Sequence, residues 1–236
     1  PKTIKQIKKK ENRKIKRERK IIIQKDKIMR VKICGITSVD DALVAVKAGA
    51  DAIGLVFYEP SPRCVNIEQA EAIARAVGPL VTVVALFVNA SSDVIENILK
   101  RVPIHVMQFH GDEPAEFCEQ FSRPYLKALR MHEDLGVDAT IGLFSSASGI
   151  LLDAYTPGVP GGTGETFDWQ RVPKGSGRPI ILAGGLNPEN IRRAVAETSI
   201  YGVDVSGGVE RAPGIKDTQK IELFIRAAKS FSQSVS

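Results

Sequence analysis

The strongest constraint on this chain is a rhythm of short apolar runs. They fall at 30–34 (RVKIC), 52–57 (AIGLVF), 80–87 (LVTVVALF), 104–109 (IHVMQF), 124–130 (PYLKALR), 149–153 (GILLD), 179–183 (PIILA) and 201–205 (YGVDV). Their starts lie 20 to 30 residues apart. That interval is too long for a hairpin and suits a strand, a turn and a returning helix. Helical signals fill the gaps. Ser38, with Asp41 three residues on, resembles a capping box, and Val39, Leu43 and Val46 follow helical spacing. Ile67, Ala70, Ile73, Ala74 and Val77 mark a second helix. Ser92 and Asp93 open a third, with Val94, Ile95, Ile98 and Leu99 on one face. Asn187 before Pro188 reads as an N-cap with proline at the first helical position. Asp217 caps a last helix bearing Ile221, Phe224, Ile225 and Ala228. A helix after the fifth run is weakly signalled, around 132–140.

Strands alternating with helices pair in parallel through right-handed crossovers. Eight such units predict a closed, single-domain (β/α)8 barrel over residues 29–236. An open doubly wound sheet is the alternative, but it usually needs fewer strands.

Charge divides the chain in the same place. Residues 1–28 hold ten Lys and three Arg against Glu11, Glu18 and Asp26, a net +10. The whole chain is +6, so the remainder carries −4. Residues 1–28 read as a basic N-terminal extension, disordered or weakly helical, or as sequence upstream of a start at Met29. A nucleic-acid arm is the competing reading; the acidic balance of the barrel weighs against a broad nucleic-acid footprint. The stretch lacks the apolar core of a secretory signal. No apolar run reaches the ~20 residues of a membrane helix. Three cysteines, far apart and odd in number, point to a reducing compartment and a cytoplasmic location.

In a barrel of this kind the chemistry sits at the C-terminal ends of the strands and in the loops beyond them. Side chains alternate along a strand, so Lys32 and Cys34 share one face and Val31 and Ile33 the other. Val31 and Ile33 suit the helix-packed outside, which turns Cys34 into the mouth. A small buried hydrophobe is the other use of such a cysteine. Parity likewise brings Asp153 to the mouth after the sixth strand, unless it caps a neighbouring helix. The loop from Tyr155 to Thr166 (YTPGVPGGTGET) is long and rich in Gly and Pro, as a loop that closes over a ligand would be. Gly184-Gly185 and Gly207-Gly208 follow strands seven and eight, where barrels often bind phosphate through backbone N–H groups. Arg63, among Pro60, Ser61 and Pro62, could clamp a carboxylate. His105, His110 and His132 lack metal-site spacing, no GxGxxG is present, and no cofactor is expected.

Together these stretches resemble the phosphoribosylanthranilate isomerases of tryptophan biosynthesis. The resemblance lies in VKICGIT (31–37), DAIGLVFYEPSPR (51–63), VMQFHGDE (106–113), LLDAY (151–155), GGTGETFDW (161–169), ILAGGLNPENI (181–191) and VDVSGGVERAPGIKD (203–217). It implies a TIM barrel of the phosphate-binding type and an Amadori rearrangement of N-(5-phosphoribosyl)anthranilate to 1-(2-carboxyphenylamino)-1-deoxyribulose 5-phosphate. It implies Asp153 as general acid, Cys34 as general base and Arg63 on the anthranilate carboxylate. The backbone around Gly184, Gly185, Ser206, Gly207 and Gly208 would hold the phosphate. A thiol acting as base must be ionised, so Cys34 is expected at or below the free value of ~8.5. Lys32 and Asp204 are expected to pair inside the barrel. The partner implied is a small phosphorylated molecule, with no membrane; no oligomeric state follows from the residues. Two positions depart from the family pattern. Cys64 stands where many members carry an aromatic, and Ser206-Gly207-Gly208 where Ser-Ser-Gly is common. Other sugar-phosphate isomerases or epimerases are the alternative enzymes; they commonly use two carboxylates or a metal.

Overall fold

The computed structural model describes residues 29–154 and 166–230. The expected basic extension at 1–28 and all but the last residue of the 155–166 loop lie outside the described residues. Eight strands run β1 (Arg30–Ile33), β2 (Ala52–Phe57), β3 (Thr82–Phe87), β4 (Val106–Phe109), β5 (Tyr125–Arg130), β6 (Gly149–Asp153), β7 (Ile180–Leu182) and β8 (Gly202–Val205). They pair in sequence order as a closed parallel barrel, with β8 back beside β1. Each overlaps one of the eight apolar runs, and the open-sheet alternative falls.

The helices show why local pattern worked. In α1 (Val39–Ala48), Ser38 Oγ accepts the Asp41 N–H, and Gly49 closes the other end at φ 99°. In α2 (Ile67–Ala76), Asn66 and Gln69 form a reciprocal capping box. Then come α3 (Ser92–Arg101), α4 (Ala115–Glu119), α5 (Val137–Leu143), α6 (Ile191–Glu197) and α7 (Thr218–Ser230). Asp217 caps α7 by accepting the Lys220 N–H.

Two expectations need correction. Asn187 does not cap α6, which starts four residues later. Its side chain instead accepts the Glu189 and Asn190 N–H groups in a turn. Asn and Asp favour such turns as readily as caps, and one sequence serves both. After β6 the described chain forms only a 3₁₀ turn, Trp169–Arg171, because Pro173, Gly175, Gly177 and Pro179 leave no helical run. A small hairpin, β9 (Glu210–Ala212) with β10 (Ile215–Lys216), follows β8 and had no signal among the eight runs.

The outer strand faces and the helices enclose one continuous apolar layer. Within it, Phe57, Phe87 and Phe109 stand in register on three adjacent strands, and their rings contact one another in turn. The barrel interior differs. It holds two small apolar clusters, Cys34–Val56–Leu86 and Ala128–Leu151–Ala183. The buried ions of the site complete this interior.

Candidate active site

A cavity of 490 Å³ opens at the C-terminal ends of the strands. That is ample for a small phosphorylated molecule. Cys34, Arg63, Asp153, Gly184, Gly185, Ser206, Gly207 and Gly208 all line it. Every expected site residue therefore faces one space.

The β1–β8 side is the cationic wall. Lys32 Nζ lies 2.9 Å from both carboxylate oxygens of Asp204, and both residues are buried. The register sets Lys32 directly opposite Asp204. Burial pulls the ammonium down, but Asp204 and the Cys34 thiol more than offset it and push Lys32 up to about 12. The thiol sits against this pair. A Cβ built on Gly54 would stand 2.7 Å from Cys34 Sγ and 3.0 Å from Lys32 Nζ. Glycine at that position is what lets sulfur and ammonium approach. Burial pushes the Cys34 thiol up, against the opposing pull of Lys32 and Lys216. The expectation of a thiol at or below its free value is not met, since desolvation disfavours the thiolate more than the cations favour it.

Arg63 does not wait with an empty fork. Its Nε–H and one Nη2–H donate to the two carboxylate oxygens of Glu210 at 2.8 Å each. The end-on edge, Nη1 and the second Nη2 hydrogen, makes no hydrogen bond to a described residue. Lys216, buried on β10, donates to Glu210 at 2.8 Å and to the Ser206 carbonyl at 3.2 Å. Burial brings the Lys216 ammonium below its ordinary value although Glu210 opposes this. Burial would raise Glu210, but Arg63 and Lys216 bring it below the usual carboxylate range. Cys64 forms an isolated bridge with Val56, anchoring the Arg63 loop to β2.

The β4–β6 side is different. Asp153 Oδ2 is 3.0 Å from His110 Nε2, and His110 Nδ1 is 2.9 Å from Gln108 Nε2. All three are buried. Behind them Lys127 donates to Glu113 and to the Gly111 carbonyl at 2.8 Å each. Glu113 in turn accepts the Gly111 and Asn89 N–H groups. This buried pair fixes the chain that follows His110.

At the third corner, Gly184 takes φ 79°, and a Cβ there would fall 2.4 Å from the Ala154 nitrogen. A Cβ on Gly208 would fall 1.9 Å from the Leu186 carbonyl oxygen. The two turns thus pack as bare backbone. The N–H groups of Gly184, Gly185, Gly207 and Gly208 donate to no described residue, and they line the cavity.

Residues 31–227 match the family model described as N-(5'-phosphoribosyl)anthranilate (PRA) isomerase. The chain belongs to this family. The isomerase of Cellvibrio japonicus is 57% identical over 202 residues, covering 86% of this chain and 94% of that protein. The crystal structure of phosphoribosyl anthranilate isomerase from Thermotoga maritima superposes with a TM-score of 0.80 at 39% identity, covering 86% of this chain and 99% of that one. A further isomerase structure, solved in complex with reduced 1-(o-carboxyphenylamino)-1-deoxyribulose 5-phosphate, has a TM-score of 0.75 at 37% identity, with 86% and 99% covered.

Around this cavity, sequence reasoning found one cation–anion pair and missed three groups. Lys32 and Asp204 pair as expected. His110 was weighed only as a metal ligand, Gln108 sat unremarked in an apolar run, and Glu210 with Lys216 lay in the motif VDVSGGVERAPGIKD without a role. Strand parity alone could have found Gln108 and His110, which share the inward face with each other.

Proposed function

We propose that this isomerase rearranges N-(5'-phosphoribosyl)anthranilate at the cavity by general acid–base catalysis, with Asp153 as acid and Cys34 as base. Asp153 protonates the furanose ring oxygen. The C1–O bond breaks, and the anthranilate nitrogen lone pair forms the C=N of a Schiff base. Cys34 removes the C2 proton, and the electron pair runs back to nitrogen to give an enolamine. The thiol then returns a proton to C1 while the C2 hydroxyl gives its own proton back to the Asp153 carboxylate, which yields the ketone. The site closes its own proton balance and needs no external acid.

The observation that carries this reading is that a thiol and a carboxyl from opposite walls line one cavity. Charge supports the base. Lys32, Arg63 and Lys216 face Asp204 and Glu210, three cations against two anions, so a thiolate at Cys34 would be the third anion. Arg63 receives the anthranilate carboxylate on its end-on edge while Glu210 holds its side. The glycine N–H groups of the β7 and β8 loops receive the phosphate, with Ser206 beside them. This partner is small, phosphorylated and soluble; no described helix is long and apolar enough to cross a membrane.

The test is the fluorescence decay of phosphoribosylanthranilate, generated in situ, with wild type, Cys34→Ser and Asp153→Asn. Each substitution is expected to lower turnover at least a hundredfold, on the order of 10²–10⁴. Wild-type turnover that survives either change removes that residue from its role.

A further inference from the structure

One buried polar atom on the acid wall has no partner. Gln108 is fully buried and lines the cavity. Its Nε2 lies 2.9 Å from His110 Nδ1, while its Oε1 has no hydrogen-bond partner. Orphaned buried oxygens are uncommon and costly. A carboxamide, however, carries two donors and an acceptor on one rotatable group, and its two orientations occupy the same space.

The chemistry of the neighbouring pair explains why that matters. With Asp153 ionised, His110 donates from Nε2 to the carboxylate. Nδ1 is then bare and accepts from the Gln108 N–H, as the distances here allow. Now add one proton to the pair. Taken up at Nδ1, with the Nε2 hydrogen passed to Asp153 Oδ2, it leaves an O–H that donates to Nε2 and a neutral ring with its hydrogen on Nδ1. On the ring, both nitrogens carry hydrogen. Either way Nδ1–H needs an acceptor, and a half-turn of the Gln108 carboxamide presents Oε1 to it.

We infer that Gln108 is a positioning residue whose carboxamide turns over as the His110–Asp153 pair takes up the proton that Asp153 delivers. This rests on Asp153 being the acid. The atom left unpaired in one state is the acceptor required in the other. Gln108 thus serves the pair in both protonation states, which a pure donor or a pure acceptor cannot do. Other charged groups around this wall are engaged. Lys127 is held by Glu113, Arg130 by Asp112, Lys32 by Asp204, and Arg63 and Lys216 share Glu210. Cys34 and Tyr58 are the remaining titratable groups lining the cavity among the described residues.

The experiment is imidazole ¹⁵N spectroscopy of the full chain across pH, with kcat and KM measured in parallel, for wild type, Gln108→Met and Gln108→Glu. The chain has three histidines, so removing His105 and His132 one at a time assigns His110. In wild type, Nδ1 passes from bare to protonated as pH falls, and the Gln108 side-chain amide signals move at the same midpoint. In Gln108→Glu, an acceptor only, Nδ1 is protonated wherever that carboxylate is ionised. Gln108→Met lowers kcat about ten- to a hundredfold with KM held within about twofold. Gln108 amide signals that stay still while His110 titrates would overturn the inference, and wild type alone decides this if a variant fails to fold. Unchanged kcat in both variants would overturn it as well. A wrong acid assignment shows separately, as an Asp153→Asn enzyme that keeps its turnover.

Discussion

The two walls of the cavity solve opposite problems. On the β1–β8 side, three cations and two carboxylates surround one thiol, all of them buried except the half-buried Arg63. On the β4–β6 side a single carboxyl meets a histidine and a carboxamide, and the nearest ion pair, Lys127–Glu113, is closed upon itself. The first wall sets fixed cations against the cost of burying a thiolate. In the proposed mechanism the second holds and releases a proton, and each of its members can change hydrogen-bond role. Fixed charge serves a base, whereas exchangeable hydrogen bonds serve an acid.

The most severe way to break the comparison is to remove the proposed base or acid. Cys34→Ser and Asp153→Asn are each expected to cost on the order of 10²–10⁴ in turnover, measured by the fluorescence decay. Next comes the support of the acid wall. Lys127→Met leaves Glu113 buried and unpaired, and should cost about 3–5 kcal/mol of stability in urea unfolding. A cost near zero would show that the Gly111–Glu113 chain does not depend on that pair.

A smaller effect is expected from Glu210→Gln on the cationic wall. The amide no longer holds Arg63 by a paired carboxylate, and Lys216 loses its anion. KM should rise about tenfold while kcat changes less. A lowered KM would mean that Glu210 competes with the substrate carboxylate instead of orienting its partner.

The finest probe is the pH profile of the wild type. Burial holds the Cys34 thiol above its ordinary value. The proposed base acts as the thiolate, so kcat/KM should climb with rising pH, through a midpoint above the free thiol value of ~8.5. A midpoint at or below that value would show that the cations outweigh burial.

Much of the fold was legible because it is local. Each run of five to eight residues declared a strand, and the caps at Ser38 and Asp217 declared where helices begin. Parity within β1 and β6 brought Cys34 and Asp153 to the mouth. The misses share a cause. Asn187 could cap or turn, and only the packing of the β7–α6 loop chose the turn. Arg63 looked like a vacant clamp because its partner, Glu210, is 147 residues away. His110 looked like a lone histidine because Asp153 is 43 residues away.

The sequence alone determined the eight strands, their order, and the cavity-facing places of Cys34, Asp153 and the two glycine turns, because period and parity are properties of neighbouring residues. Lys32 with Asp204 was within its reach, since closure of the barrel sets strand eight beside strand one. The tertiary structure decided the rest: which carboxylate holds Arg63, which imidazole nitrogen meets Asp153, and which way burial moves the Cys34 thiol. Those depend on distances between distant segments and on exclusion of water, and neither is written in any local stretch of the chain.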